Sequence, residues 1–169
     1  TTGWVLGVEA LGSYAFVSSG IAGLQVVDIS NPSAPILVAR LPLNGTCYYL
    51  DVEGNYAYIP ASTTGLHIVD ISNPLAPVLK STYNTPGDAS HVAVRGNYAY
   101  IADNAAGLQI INISNPLSPT WVGSFLATTS AARVVLAGNI AFIGSRGAGL
   151  YAANISNPAA PVLSPGLSI

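Results

Sequence analysis

Three observations predict an all-β fold assembled from four copies of one small antiparallel sheet. A ten-residue phrase recurs at fixed spacing, each copy is rich in β-branched and aromatic residues, and glycine and proline interrupt it every few positions. The phrase Gly23-Leu24-Gln25-Val26-Val27-Asp28-Ile29-Ser30-Asn31-Pro32 returns at 65–74, 107–116 and 149–158, always 42 residues on, with no insertion or deletion. Self-similarity at a fixed period turns the fold problem into the question of how one unit stacks. The 169 residues read as a single repeat domain with units of approximately 1–42, 43–84, 85–126 and 127–169.

Nine positions are identical in all four copies: Gly12, Ala15, Gly23, Leu24, Ile29, Ser30, Asn31, Pro32 and Pro35 in the first. Their chemistry divides the unit into four strands. The first strand ends at Gly12-Ser13, Gly54-Asn55, Gly96-Asn97 and Gly138-Asn139. Gly followed by Asn or Ser between apolar runs is a two-residue type II′ hairpin, with Gly supplying the positive φ. Tyr14-Ala15-Phe16-Val17 and its counterparts Tyr56–Ile59, Tyr98–Ile101 and Ile140–Ile143 form the second strand, because this density of aromatic and β-branched residues favours strand over helix.

A variable loop, Ser18–Ala22 in the first copy, leads to the third strand, Leu24–Ile29. Leu24 and Val26 point one way and Gln25, Val27 and Ile29 the other. Both faces are largely apolar, so both require cover, and sheets sandwiched between neighbours supply it. In Ile29-Ser30-Asn31-Pro32-x-x-Pro35, proline pushes Asn31 out of the helical region and presets a turn. Asp28 or Ser30 supplies side-chain oxygen for nearby amides. Pro35 opens a fourth strand that carries Arg40, Pro42, Lys80 and Pro165-Gly166. Charge and proline protect an exposed edge, which makes this strand the outermost.

Four antiparallel strands in about 42 residues match a β-propeller blade. The fold class is therefore a β-propeller-like array of four four-stranded antiparallel blades. Gly65–Pro74, preceded by Gly54-Asn55-Tyr56-Ala57-Tyr58-Ile59, resembles the LVIVD repeat family over essentially the whole chain. That resemblance implies a propeller-like array of bacterial or archaeal surface or secreted proteins, and it implies no catalytic activity. The fourth copy departs most: Ile140 replaces Tyr, Ala152-Ala153 replace the Val-Val pair, and Pro165-Gly166 interrupt the outer strand. It reads as a terminal, less tightly packed unit. Three assemblies stay open: a compact four-bladed ring, a larger ring formed with a second copy, or a segment of a longer array or fibre.

Composition narrows the function classes. Half of the chain is hydrophobic and only 7% is charged, where soluble proteins average about 25%. Five basic residues against seven acidic ones cannot build the basic face that nucleic acid or an anionic membrane requires. Gly, Asn or Pro cuts every apolar run well short of the roughly 20 residues that span a bilayer, so no membrane span is expected. The chain has no Met, which suits a processed form or a piece of something longer. One cysteine, Cys47, excludes an internal disulfide framework and reads as a small buried hydrophobe. Low Lys with abundant Gly, Ser, Thr and Asn suits an extracellular or cell-surface location.

Alternation predicts two rims. Gly-Asn hairpins and Ser-Asn-Pro turns share an invariant rim, whereas the loops between the second and third strands and between blades share a variable one. Scaffolds carry function on variable loops, so the candidates for ligand binding are Asp88, His91, Asp103, Asn104, Arg133 and Arg146. His91 and Arg133 occupy equivalent positions in adjacent copies, matching Gly7 and Tyr49, and meet near a central axis. Their chemistry suits a small polar or anionic ligand.

Asp88-x-x-His91 with Asp103 falls short of a metal-ligand set, and neither a metal nor a cofactor is expected. His67 stands where the other copies place Gln25, Gln109 and Tyr151, a packing position. The segment 144–149 is glycine-rich but lacks the Gly-Lys-Ser/Thr ending of a phosphate loop. Asn44, Asn112 and Asn154 head sequons. Asn44, in an inter-blade loop, is a candidate for glycosylation; Asn112 and Asn154 replace Asp28 and Asp70 and read rather as turn acceptors.

No enzyme is expected. The leading reading is an extracellular or cell-surface scaffold that assembles with itself or with other surface proteins into a ring, array or fibre. The runner-up is a ligand-binding propeller, for carbohydrate, that uses the variable rim.

Overall fold

The computed structural model describes residues 4–126, 130–147 and 149–164, and every regular element among them is a strand. Blade 1 comprises β1 (Gly7–Leu11), β2 (Tyr14–Ser18), β3 (Leu24–Asp28) and β4 (Ile36–Leu41). Blade 2 comprises β5 (Asp51–Glu53), β6 (Tyr56–Pro60), β7 (Leu66–Asp70) and β8 (Val78–Tyr83). Blade 3 comprises β9 (His91–Arg95), β10 (Tyr98–Ala102), β11 (Leu108–Asn112) and β12 (Thr120–Phe125). Blade 4 comprises β13 (Ala131–Ala137), β14 (Ile140–Ser145), β15 (Gly149–Asn154) and β16 (Val162–Leu163). Each is a separate antiparallel sheet with its strands in chain order.

The turns form as their residues dictate. Gly12, Gly54, Gly96 and Gly138 have φ of 60°, 60°, 59° and 53°, while the Ser or Asn that follows keeps a negative φ, the type II′ pattern. In the Ser-Asn-Pro turn, Asp28 Oδ1 accepts from Ser30 N at 2.8 Å, and Asp70, Asn112 and Asn154 accept from Ser72, Ser114 and Ser156 at 2.9 Å. A second such bond follows, from Ser33 N to Asn31 Oδ1 at 3.2 Å, and it too recurs in every copy. Asp and Asn are interchangeable in the first bond because both present the same oxygen. The two turn types adjoin, since the amides of Ile29, Ile71, Ile113 and Ile155 donate to the carbonyls of Ser13, Asn55, Asn97 and Asn139. This is the invariant rim.

The repeated Gly-Leu opening has a steric cause. A Cβ on Gly23, Gly65 or Gly107 would collide with the carbonyl oxygen of Leu41, Tyr83 or Phe125 on the outer strand, and all three glycines have positive φ. The outer strand also holds a device that the residue pattern does not announce. Val26 pairs with Ala39 but Val27 with Leu37, which leaves Val38 as an extra residue; the same shift leaves out Lys80 and Val122. A bulge at one place in each of these three outer strands twists the edge away from further pairing. Edge protection therefore rests on backbone geometry as well as on charge, and it lets the strand expose Ile36, Val78 and Trp121. The Pro165-Gly166 interruption lies outside the described residues.

The core lies between blades, in three clusters. Phe16, Leu24 and Val26 of blade 1 pack on Leu50, Ala57, Ile59, Val69 and Ile71 of blade 2. Tyr58, Leu66 and Ile68 pack in the same way on Val92, Ala99, Ile101, Ile111 and Ile113. Tyr100, Leu108 and Ile110 pack on Val134, Ala141, Ile143, Ala153 and Ile155. Each of blades 1 to 3 thus offers a trailing face of three large side chains to the leading face of the next. Cys47 belongs to the first cluster, is free, and its thiol is pushed up to about 11 by burial, which makes it an apolar filler.

Polar clasps cross the later interfaces. Asp51 Oδ2 accepts from Val94 N at 2.6 Å, Glu53 Oε1 from Gly96 N at 3.1 Å, and Arg95 Nη1 donates to the Gly138 carbonyl. Blade 1 and blade 4 border the same axial cavity, yet among the described residues no core cluster joins them. Val8, on the leading face of blade 1, is 59% exposed, whereas its counterparts Leu50, Val92 and Val134 are 5%, 2% and 0% exposed. On the trailing face of blade 4, Phe142 and Leu150 are only half-buried, where Phe16, Leu24 and their other counterparts are buried.

Candidate functional site

The first strands β1, β5, β9 and β13 face a common axial cavity of about 470 Å³, lined by Glu9, Tyr49, Asp51, His91 and Arg133 among others. Its polarity is graded. Towards the hairpin end stand Glu9 and Asp51; burial, then the Asp51 charge, raise the Glu9 carboxyl above its ordinary value. Towards the variable rim, Tyr49, His91 and Arg133 meet. Tyr49 and His91 form a parallel backbone bridge with their ring centroids 5.5 Å apart, and the Arg133 guanidinium carbon lies 4.0 Å from the Tyr49 ring centroid. That distance is a cation–π contact. His91 is held below its ordinary pKa chiefly by burial and next by Arg133, with Asp51 and the Val92 backbone acting in the opposite direction. The imidazole is therefore neutral near pH 7.

A second hollow of about 420 Å³ adjoins this one at the rim, lined by Tyr48, Tyr49, Ser90, Ala132, Arg133, Gly144, Ser145, Arg146 and Gly149. Of the sequence candidates, His91 and Arg133 come together as the repeat phase predicted, and Arg146 shares the rim hollow with Arg133. Tyr49 is the participant that residue-type reasoning passed over. Its signal was present, since it holds the same repeat position as His91 and Arg133.

The other candidates separate from this group. Asp103 is fully buried; Oδ1 accepts from Thr85 Oγ1 at 2.7 Å and Oδ2 from Gly87 N at 2.8 Å. Burial raises its pKa first of all, while these two hydrogen bonds oppose the rise. The expectation that Asp103 faces a ligand from the rim is thus corrected: it staples an inter-blade loop. Asn104 has φ of 45°, its Nδ2 donates to the Asp88 carbonyl at 2.6 Å, and its backbone bridges Ala131. Asp88 is exposed and accepts from Ser62 Oγ at 3.4 Å. These contacts tie loops together across blades, as the bridges Gly20–Cys47 and Ser62–Ala89 do elsewhere. Among the described residues no three His, Cys, Asp or Glu side chains gather as metal ligands.

His67 is buried as a packing residue. Nε2 donates to the Asn44 carbonyl and Nδ1 accepts from Thr82 Oγ1, both at 2.8 Å. The carbonyl can only accept, so the ring is the neutral Nε2–H form. Asn44 is exposed, and Asn112 and Asn154 serve the turns through Oδ1.

Four separate four-stranded sheets around a shared axial cavity define a β-propeller-like repeat protein. The LVIVD repeat family matches at residues 2–41, 45–85, 86–127 and 129–165, and the chain belongs to that family. No curated protein matches it. Among solved structures, the computationally designed Ika4 protein is similar with a TM-score of 0.74 at 10% identity, over 90% of this chain and 91% of that one. The computationally designed Ika8 protein is similar with a TM-score of 0.75 at 11% identity, over 97% of this chain. The present chain spans 50% of the Ika8 chain. At these identities the likeness is one of fold alone.

Proposed function

We propose that this protein is a non-enzymatic interaction scaffold, working outside the cell or on its surface, that assembles with a second copy of itself. The observation that carries the reading is the mismatch between internal and terminal blade faces. Blades 1 to 3 each cover their trailing side chains with the leading face of the next blade. The leading face of blade 1 (Val8, Val17, Val27 and Ile29) and the trailing face of blade 4 (Phe142 and Leu150) are built from the same repeat positions, yet these side chains stay half-buried or exposed.

A second copy fits this gap because its blade 1 offers blade 4 the kind of surface that blades 2 to 4 offer their predecessors. Exposed Trp4 and Ile21 extend the apolar surface beside blade 1, and a patch of this kind marks an interaction site. With net charge −2 there is little repulsion to oppose association. The surface location rests on composition: a single Lys with abundant Gly, Ser, Thr and Asn.

Mass in solution tests the assembly, by light scattering or native mass spectrometry. A multiple of 17.2 kDa is expected. A monomer that persists to about millimolar concentration, the weak end of specific association, overturns the reading.

A further inference from the structure

We propose that the rim hollow lined by blades 2, 3 and 4 binds a small organic oxyanion, a carboxylate or phosphate carried on a polar body of sugar size, held by Arg133 and Arg146. The argument begins with scarcity. The chain has only five Lys and Arg residues, and two of them line one hollow of about 420 Å³. No carboxylate stands in that wall. Of the other three cations, Lys80 pairs with Asp70 at 3.1 Å, the only salt bridge among the described residues, Arg95 bonds the Gly138 carbonyl, and Arg40 is exposed on β4. Two arginines facing one cavity without an anion are an arrangement that carboxylate or phosphate completes, because the guanidinium fork matches both groups in a bidentate way.

The geometry supports a built site. Arg133 is held over the Tyr49 ring at 4.0 Å, so part of its side-chain freedom is already lost before a ligand arrives. Arg146 projects from the loop after β14, where the other copies place Gly20, Ser62 and Asn104. Both arginines therefore stand where copy four departs from the repeat. Gly144 stands where the earlier copies have Ser18, Pro60 and Ala102, and this keeps the wall low beside Arg133. Tyr48 and Ser90 add aromatic and hydroxyl surface for a polar body, and the volume lies within the range of small-molecule sites, about 300–1,000 Å³. The axial gradient acts in the same sense. Glu9 and Asp51 lie beyond Tyr49, so an anion approaching from the rim meets the cations first.

Titration calorimetry or ligand-observed NMR on the full chain tests this, with glucuronate, glucose 6-phosphate and glucose as probes. At least one charged sugar is expected to bind with a dissociation constant near or below about 1 mM while glucose does not. The tighter of the two identifies the oxyanion. Arg146→Gln, at an exposed position, should weaken binding about tenfold or more with an unchanged unfolding midpoint. Arg133→Gln should do the same, and Arg40→Gln, which removes an exposed cation from β4, should not. Equal losses in Arg40→Gln and Arg146→Gln, equal binding of glucose, or no binding of either anion overturns the proposal. Repeating the titration on Val8→Asp, which targets the leading face of blade 1 and leaves the hollow untouched, reads binding apart from assembly.

Discussion

The internal blade interfaces and the terminal faces use the same residue positions with opposite outcomes. At position 8 of the repeat, Val92 and Val134 disappear into clusters, whereas Val8 keeps 59% of its surface. At position 24, Leu66 is fully buried while Leu150 is half-buried. The lesson is that a blade has no core of its own. Its two faces are halves of different cores, and each becomes stable only against a neighbour, as repeat proteins require.

The largest test of this contrast places a charge at equivalent positions. Val92→Asp buries an unpaired carboxylate and is expected to cost more than about 4 kcal/mol in urea unfolding. Val8→Asp should change the stability of the single chain by less than about 0.5 kcal/mol, yet reduce the assembly to 17.2 kDa on light scattering. Assembly that survives Val8→Asp breaks the comparison.

Next in size is a cavity pair. Leu66→Ala should cost about 2–5 kcal/mol, as full burial predicts, and Leu150→Ala about half as much in the monomer. Equal costs would mean that blade 4 is covered as thoroughly as blade 2.

A smaller effect belongs to the turn that all copies share. Asp70→Ala removes the acceptor for Ser72 N and should cost about 1 kcal/mol. Asp70→Asn keeps that oxygen, as Asn112 does in copy three, and should stay within about 1 kcal/mol, the loss being that of the half-exposed Lys80 pair. The Asp70 carboxyl is held down at about 2, chiefly by its bond from Ser72.

The mildest effect near neutrality is on pH. Burial lowers the pKa of both His67 and His91 in the fold. An unfolded histidine titrates near about 6.5, so below that value the unfolded chain takes up protons that the folded chain refuses. Stability should therefore fall as pH drops from about 6.5 towards the lower folded values. His67→Gln, which borrows the residue of copies one and three, should flatten that decline in a thermal-melt series; an unchanged slope would assign the whole effect elsewhere.

Much of the fold was legible because the repeat prints each constraint four times. Gly12 before Ser13 specifies its turn locally, and Asn31-Pro32 does the same, so both emerge as read. The outer-strand bulge at Val38, Lys80 and Val122 was not legible, because valine and lysine carry no local signal for an extra residue; pairing with β3, β7 and β11 creates it. The site divides along the same line. The shared phase of His91 and Arg133 foretold their meeting on the axis, where Tyr49, of the same phase, joins them. Asp103 misled because a carboxylate in a variable loop looks solvated until Thr85 and Gly87 close over it.

By itself, then, the sequence determined the strands, the turns and the 42-residue stacking period, since these follow from backbone preferences and from apolar character on both strand faces. Only the tertiary structure decided which faces find partners, which carboxylate is buried, and that Arg133 and Arg146 share a hollow. Those outcomes depend on distances between residues far apart in the chain, and no local preference encodes them.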